Sequence, residues 1–271
     1  SGRPPLHLHS DDWIKPMKTL VIANQKGGVG KTTLLMNMAH YAAEAGNRTL
    51  VVDLDPQRNT SASLEAFASG IPASTLFEPQ PIQFARPAEV PITLIGADAG
   101  LLKIDGGRPD IIQTFADHIR RFSDSAQFEL CLIDTAPALG LRMVAAVAAA
   151  SHALSPIELQ TYSIEGITAM LQTIYGIRRQ LNPTLEVLGM LPSRVNSHSP
   201  AQKTNLVSLL RSYPELVVRK AIFLRTSIAE AAGERQPVWA MRKTSARAAG
   251  HEMKNVIAHL IEKMGELPPA A

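Results

Sequence analysis

Residues 24–33 read Asn24-Gln25-Lys26-Gly27-Gly28-Val29-Gly30-Lys31-Thr32-Thr33, directly after the apolar run Leu20–Ala23. Glycines 27, 28 and 30 let the backbone curl so that successive N–H groups point inward. From Lys31 the chain reads as a helix to Ala45, stopped by Gly46. The positive end of that helix faces the same concavity, so strand, glycine loop and helix together form a cradle for phosphate. Lys31 is placed to reach the outer phosphates of a nucleoside triphosphate, and the Thr32 hydroxyl to hold Mg²⁺. The plainer reading, a glycine-rich turn with incidental lysines, leaves Lys-Thr-Thr at the head of the helix unexplained. Two residues depart from the generic Gly-x-x-x-x-Gly-Lys-Ser/Thr loop. Gln25 stands where glycine is expected, and a second lysine, Lys26, precedes Lys31 by five positions.

On either side of the loop the elements alternate. Short apolar runs at Thr49–Leu54, Ile92–Ile95, Leu130–Ile133, Ala153–Ile157 and Leu185–Leu191 read as strands, with another near Ala221–Leu224. Helical patterns fall at Pro109–Phe122, Ser163–Leu181, around 200–212, 226–232 and 244–264, while residues 56–91 read mostly as loop with short helix. Continuous apolar strands between helices predict an α/β fold: one doubly wound, mostly parallel sheet flanked by helices. Such sheets bind ligands at the carboxyl ends of their strands.

Three acids fall at those ends. Asp134 closes "ELCLID" and is placed to bind the water shell of Mg²⁺; without the glycine loop it would read as a turn or cap residue. Asp53 and Asp55 alternate on "VVDLDPQ", so their side chains point the same way, and Pro56 ends the strand. One of the pair suits an attacking water and the other the metal, although such a pair taken alone is more often a turn.

The chain has 271 residues and is 45% hydrophobic, enough for one large α/β domain. Its single cysteine, Cys131, excludes a disulfide framework, an iron–sulfur cluster and a Cys-rich zinc site, and points to a reducing, cytoplasmic compartment. No apolar run reaches the roughly 18 residues of a membrane span, and residues 1–16 lack the apolar stretch of a signal peptide. That segment reads as an extension or tag, expected to be disordered, ahead of a single ATPase domain over 17–271. It is too short for an N-terminal helix-turn-helix domain, so operator binding is not expected. The net charge of +3 is uneven: residues 194–247 carry ten Lys/Arg against three acids. A basic C-terminal third suits a polyanion, or is simply a solvated surface.

"KGGVGKTT", "VVDLDPQ" and "LIDTAPALG", in that order, resemble the deviant-Walker ATPases of the ParA/MinD family. "SIEGI" at 163–167 and "SIAEAAGERQPV" at 227–238 resemble later landmarks of the ParA branch, which partitions plasmids and chromosomes. The resemblance runs from Met17 to about residue 260 and implies slow, Mg²⁺-dependent hydrolysis of ATP to ADP and phosphate. It implies that Lys26 reaches across an ATP-sandwich homodimer to the other subunit's phosphates, as an arginine finger does. It implies that residues 26–33, Val29 included, contact nucleotide, that Thr33 touches phosphate, that Asp55 orients water and that Asp53 lies near the metal. Arg194 and Pro237 match positions that line the adenine pocket. Gln25 agrees with the ParA form of the loop, whereas Arg58 replaces a common glycine and Ala136 a common proline.

The basic third then implies non-specific DNA binding by the ATP-bound dimer, through phosphates rather than bases. Lys203 lies where the family can carry a DNA-binding arginine. Ser227 stands where some relatives have another, and Arg219, Lys220, Arg225, Arg242, Lys243 and Arg247 form a candidate pool. The implied partner is a ParB-type centromere-binding protein, the implied location the nucleoid. Two alternatives share the fold: an ATPase that positions a protein cargo, and a membrane-surface switch of the MinD kind. The second needs a basic amphipathic C-terminal helix, whereas "NVIAHLIEKMGEL" at 255–267 carries Glu262 and Glu266 against one lysine.

Overall fold

The computed structural model describes residues 16–84, 90–161, 164–265 and 267. The expected disorder of residues 1–16 therefore lies outside the described residues except at Pro16, as does Ser163 of "SIEGI". Seven strands form one sheet: β1 (Lys18–Ile22), β2 (Thr49–Asp53), β3 (Ala68–Pro72), β4 (Ile92–Gly96), β5 (Leu130–Asp134), β6 (His152–Glu158) and β7 (Glu186–Ser193). All pairings are parallel, in the order β3-β4-β2-β5-β1-β6-β7. The helices are α1 (Lys31–Glu44), α2 (Asn59–Ser63), α3 (Leu101–Ile104), α4 (Ile111–Asp124), α5 (Leu141–Ala149), α6 (Ile164–Gln180), α7 (Pro200–Ser212), α8 (Thr226–Gly233) and α9 (Thr244–Lys263).

The period-two alternation of each strand builds two apolar layers. Leu20 and Ile22 of β1, Val51 of β2 and Leu132 of β5 pack with α1, α8 and α9. Val21, Val52, Cys131 and Ile133 point the other way, onto α4, α5 and α6. Both faces are covered, which is why these strands read as unbroken apolar runs. On α9 the buried residues Ala246, Ala249, Met253, Val256, Ile257 and Leu260 make a single stripe, so its apolar face is used by the core. No described helix is long and apolar enough to cross a membrane.

Three sequence expectations are corrected. The segment 56–91 holds an edge strand, β3, as well as α2; "ASGIP" has one β-branched residue, Ile71, beside a glycine and a proline, and is held by β4 and a serine, with Ser69 Oγ donating to Leu94 O at 2.7 Å. The strand near Ala221–Leu224 does not form. Phe223 makes one isolated bridge to Val195, just past the end of β7, so no ladder develops. Helix α5 was absent from the expectation, because "LRMVAAVAA" is apolar on nearly every side and shows no clear period.

The order of the strands places the site. From β1 the chain crosses to β2 on one side and returns through β5, then adds β6 and β7 on the other. The carboxyl end of β1, between β5 and β6, is thus the point where the winding reverses and a crevice opens.

Candidate functional site

The glycine loop fills that crevice. Asn24 anchors it: its side-chain amide donates to Pro156 O at 2.6 Å, and its Oδ1 accepts from the Lys26 amide at 2.8 Å. Val29 is buried and pins the loop to the core. Gly28 and Gly30 have φ of 76° and 89°, the left-handed region that glycine adopts without strain. A Cβ on Gly30 would stand 2.9 Å from Ser193 Oγ, so the close approach of loop to β7 also requires glycine there. Helix α1 starts at Lys31 with no side-chain cap, leaving its first N–H groups to the crevice. Lys31 is 7% exposed, and its Nζ lies 3.4 Å from both Asn24 O and Lys26 O. Burial lowers its pKa, opposed by Asp134 and Asp55. A cation held there by carbonyls alone is a receptor for an anion.

The carboxylates stand across from it. Asp53 and Asp134 are register neighbours on β2 and β5. Asp134 Oδ2 accepts from Thr32 Oγ1 at 2.9 Å and Thr60 Oγ1 at 2.6 Å, while Oδ1 is buried without a partner. Asp53 Oδ2 accepts from the Ser61 amide and hydroxyl at 2.8 and 2.6 Å, and its Oδ1 from the Asp55 amide at 3.0 Å. Burial and the nearby Asp134 push the Asp53 carboxyl up to about 7. Burial likewise raises Asp134, against hydrogen bonds from Thr60 and Thr32. Asp55 is less buried and accepts from the Gln57 amide at 3.0 Å.

Glycines 27, 28 and 30 with Lys31, Thr32, Thr33, Asp55 and Arg194 line a cleft of about 520 Å³. Pro237 is outside it, buried beside α1, where the next amide, of Val238, donates to Asn37 Oδ1 at 3.0 Å. Lys26 extends over the rim, its Nζ 3.5 Å from Glu158 Oε2 and 44% exposed. Glu158 also meets Arg194, Nε to Oε1 at 3.4 Å, and Arg194 Nη1 donates to Gly28 O at 3.3 Å. The site thus gathers Lys26, Lys31, Thr32, Asp53, Asp55, Asp134 and Arg194.

Sequence reasoning missed Gln57 of the cleft wall, and behind or beside it Thr60 and Ser61, which hold the two buried carboxylates, and Glu158, which holds Lys26. Thr60 and Ser61 had a signal available: two adjacent hydroxyls five residues past Asp55, following Pro56. Glu158 had none, because its partners are far away in the chain.

Residues 17–187 match the family described as AAA domain. The protein IncC of Escherichia coli is 41% identical over 261 residues, 92% of this chain and 70% of IncC. The chromosome-partitioning ATPase Soj of Thermus thermophilus is 31% identical over 223 residues, 79% of this chain and 84% of Soj. The chain belongs to the ParA/MinD family. Its fold also superposes on cobyrinic acid a,c-diamide synthase from Mycobacterium smegmatis, solved with an ATP analog and magnesium, at a TM-score of 0.72 and 23% identity, covering 93% of this chain and 98% of the other.

As a member of the ParA/MinD family the chain shows why glycine suits position 58. Arg58 has φ 60° at the start of α2, a left-handed conformation that any side chain other than glycine adopts under strain. The basic residues sort by their partners. Arg225 is held by both oxygens of Glu252 on α9, with a 2.8 Å contact from Nε to Oε2. Lys243 lies 2.9 Å from Glu230. Lys203 on α7, Arg219, Lys220, Arg242 and Arg247 are exposed, and no ion pair engages them among the described residues. Arg219 and Lys220 edge an apolar groove of about 710 Å³ between α7 and α9.

Proposed function

We propose that this protein is a partition ATPase: it binds ATP in the β1 crevice, closes into a homodimer, holds DNA non-specifically while ATP is bound, and releases it on hydrolysis stimulated by a ParB-type partner. The observation that supports nucleotide chemistry most is the pairing of Thr32 with Asp134 at 2.9 Å beside Lys31, with Asp134 Oδ1 buried and unpartnered. A buried acceptor without a partner is costly unless a ligand or its water completes it.

The residues present fit ATP with Mg²⁺. The loop amides and Lys31 would take the phosphates, and Thr32 would ligate the metal with Asp134 and Asp53 behind it. Among the described residues no three His, Cys, Asp or Glu side chains gather as a metal site. A cation here would therefore rely on one hydroxyl, water and phosphate oxygens, as Mg²⁺ commonly does. When bound, Mg²⁺ would offset phosphate charge. Asp55, on the cleft wall, would orient the attacking water. Val29 and Thr33 would contribute through backbone N–H groups of the loop and of the first turn of α1, Arg194 would line the same cleft, and Pro237 supports the wall of α1 rather than the cleft.

DNA would meet the unengaged cations first: Lys203, Arg219, Lys220, Arg242 and Arg247. Arg225 and Lys243, already paired, would contribute less. The membrane-surface alternative loses support because the apolar stripe of α9 is buried against the sheet. Positioning of a protein cargo would use the same machinery and differs only in the partner.

The test is DNA binding by fluorescence anisotropy with ATP, ADP and no nucleotide. Tight binding is expected with ATP alone, and equal binding in all three would remove the switch. Lys31→Ala is expected to abolish ATP binding by calorimetry, because Lys31 is the buried cation of the loop, whereas Lys26 is held at the rim by Glu158.

A further inference from the structure

Arg142 opens α5, where a basic residue is unfavourable beside a helix N-terminus. It is nonetheless 8% exposed, and each of its three guanidinium nitrogens donates a hydrogen bond. Its Nε and Nη2 donate to Asp105 Oδ2 at 3.0 and 2.6 Å, and its backbone N–H to Asp105 Oδ1 at 3.1 Å. Asp105 follows α3, and burial, which would raise its carboxyl, is outweighed by these hydrogen bonds, so it lies below the ordinary range. A Cβ on Gly140 would come 2.5 Å from the same carboxylate, so the helix start is packed directly on Asp105.

The remaining guanidinium nitrogen points elsewhere. Nη1 donates to Leu54 O at 3.2 Å, across 88 residues of sequence. The Leu54 amide donates to Asp134 O at 3.0 Å. Leu54 is therefore held on both sides, by Asp134 from β5 and by Arg142 from α5, and the next residue is Asp55. Arg142, two residues past the Thr135–Gly140 segment that leaves β5, thus ties the start of α5 to Asp105 and to Leu54, where Leu54–Gln57 leaves β2. A lysine has one point charge and cannot bridge a carboxylate and a carbonyl in this fixed fork.

We infer that Arg142, oriented by Asp105, is a positioning residue for hydrolysis, fixing the backbone that carries Asp55 relative to Asp134 and the Thr135–Gly140 loop. It does not line the cleft itself. This rests on the ATPase reading above, with Asp55 as the group that orients water. If that carboxylate moves while the phosphate loop stays in place, turnover falls and ATP binding does not.

Arg142→Lys and the milder Asp105→Asn test it by turnover at saturating ATP and by ATP affinity. Both are expected to lower kcat about tenfold or more, since small misplacements of a reacting group carry losses of that order. KM and the ATP Kd are expected to stay within about twofold. An unchanged kcat, or a loss of affinity as large as the loss of kcat, would overturn the role. Amide hydrogen exchange reads the link without turnover: faster exchange is expected at 54–57 and 135–140 in both variants, with α1 unchanged. Exchange that stays the same, or rises equally in α1, would overturn it as well. A wild type that binds ATP and does not hydrolyse it would refute the ATPase reading instead, and the exchange data would still decide whether Arg142 joins the two segments.

Discussion

Asp53 is fully buried between Asp134 and Ser61, and its carboxyl titrates at about 7 against an ordinary 3.8. Between those values the folded chain binds a proton that the unfolded chain releases. Its contribution to stability is therefore complete below about pH 4 and is lost as pH rises through 7. Without nucleotide and metal, Asp53→Asn is expected to gain stability over wild type progressively from pH 4 to 7, by up to a few kcal/mol, and to hold that margin above. Urea unfolding at each pH checks this; a margin that shrinks with rising pH would place the strain elsewhere. The same residue scale separates what was legible from what was not. That Lys31, Thr32 and Asp134 lie together at the carboxyl end of the sheet was readable, because Lys31 and Thr32 follow the strand and its glycine loop directly and Asp134 ends an apolar strand. The hydroxyls at Thr60 and Ser61 mark that stretch as polar, but that Thr60 meets Asp134 across 74 residues, and Lys26 meets Glu158 across 132, no local pattern records.

Among the elements, α7 and the segment from α8 to α9 carry the basic third, but their cations differ in what already holds them. Lys203 is exposed on α7, whereas Arg225 is clasped by Glu252 of α9. Lys203→Ala is expected to flatten the slope of log K for DNA against log salt by about 0.9, one phosphate contact. Arg225→Ala is expected to change that slope less and thermal stability more, because it leaves Glu252 without its partner. Equal slopes for the two variants would show that the Glu252 pair opens on DNA. Elements with a clear period were placed from sequence to within a residue or two: α1, α7, α9 and the central strands. Strand β3 and helix α5 were not, the one having a single strand-forming residue, Ile71, and the other being apolar at all but Arg142, so both depend on neighbours.

The whole molecule sets Lys26 at the rim of the cleft, held by Glu158, instead of over its own phosphate loop. A cation in that place serves a phosphate only if it leaves Glu158, and a second copy facing the cleft would supply one. Lys26→Ala is accordingly expected to bind ATP as a monomer with affinity within about threefold of wild type, a loss of about half a decade at most from the missing rim charge, and to form no ATP-dependent dimer in analytical ultracentrifugation. A dimer that persists would remove the role in trans. By itself the sequence determined the fold class, the succession of strands and helices along the chain and the end of the sheet at which the glycine loop sits, because all of these follow from local periodicity and from glycine's backbone freedom. Only the tertiary structure decided which groups face one another: Thr60 and Ser61 on the two buried carboxylates, Glu158 between Lys26 and Arg194, and Arg142 across to Leu54. Those pairings come from packing two layers of helices on one twisted sheet, and a chain encodes them through the sum of its contacts, not in any one stretch.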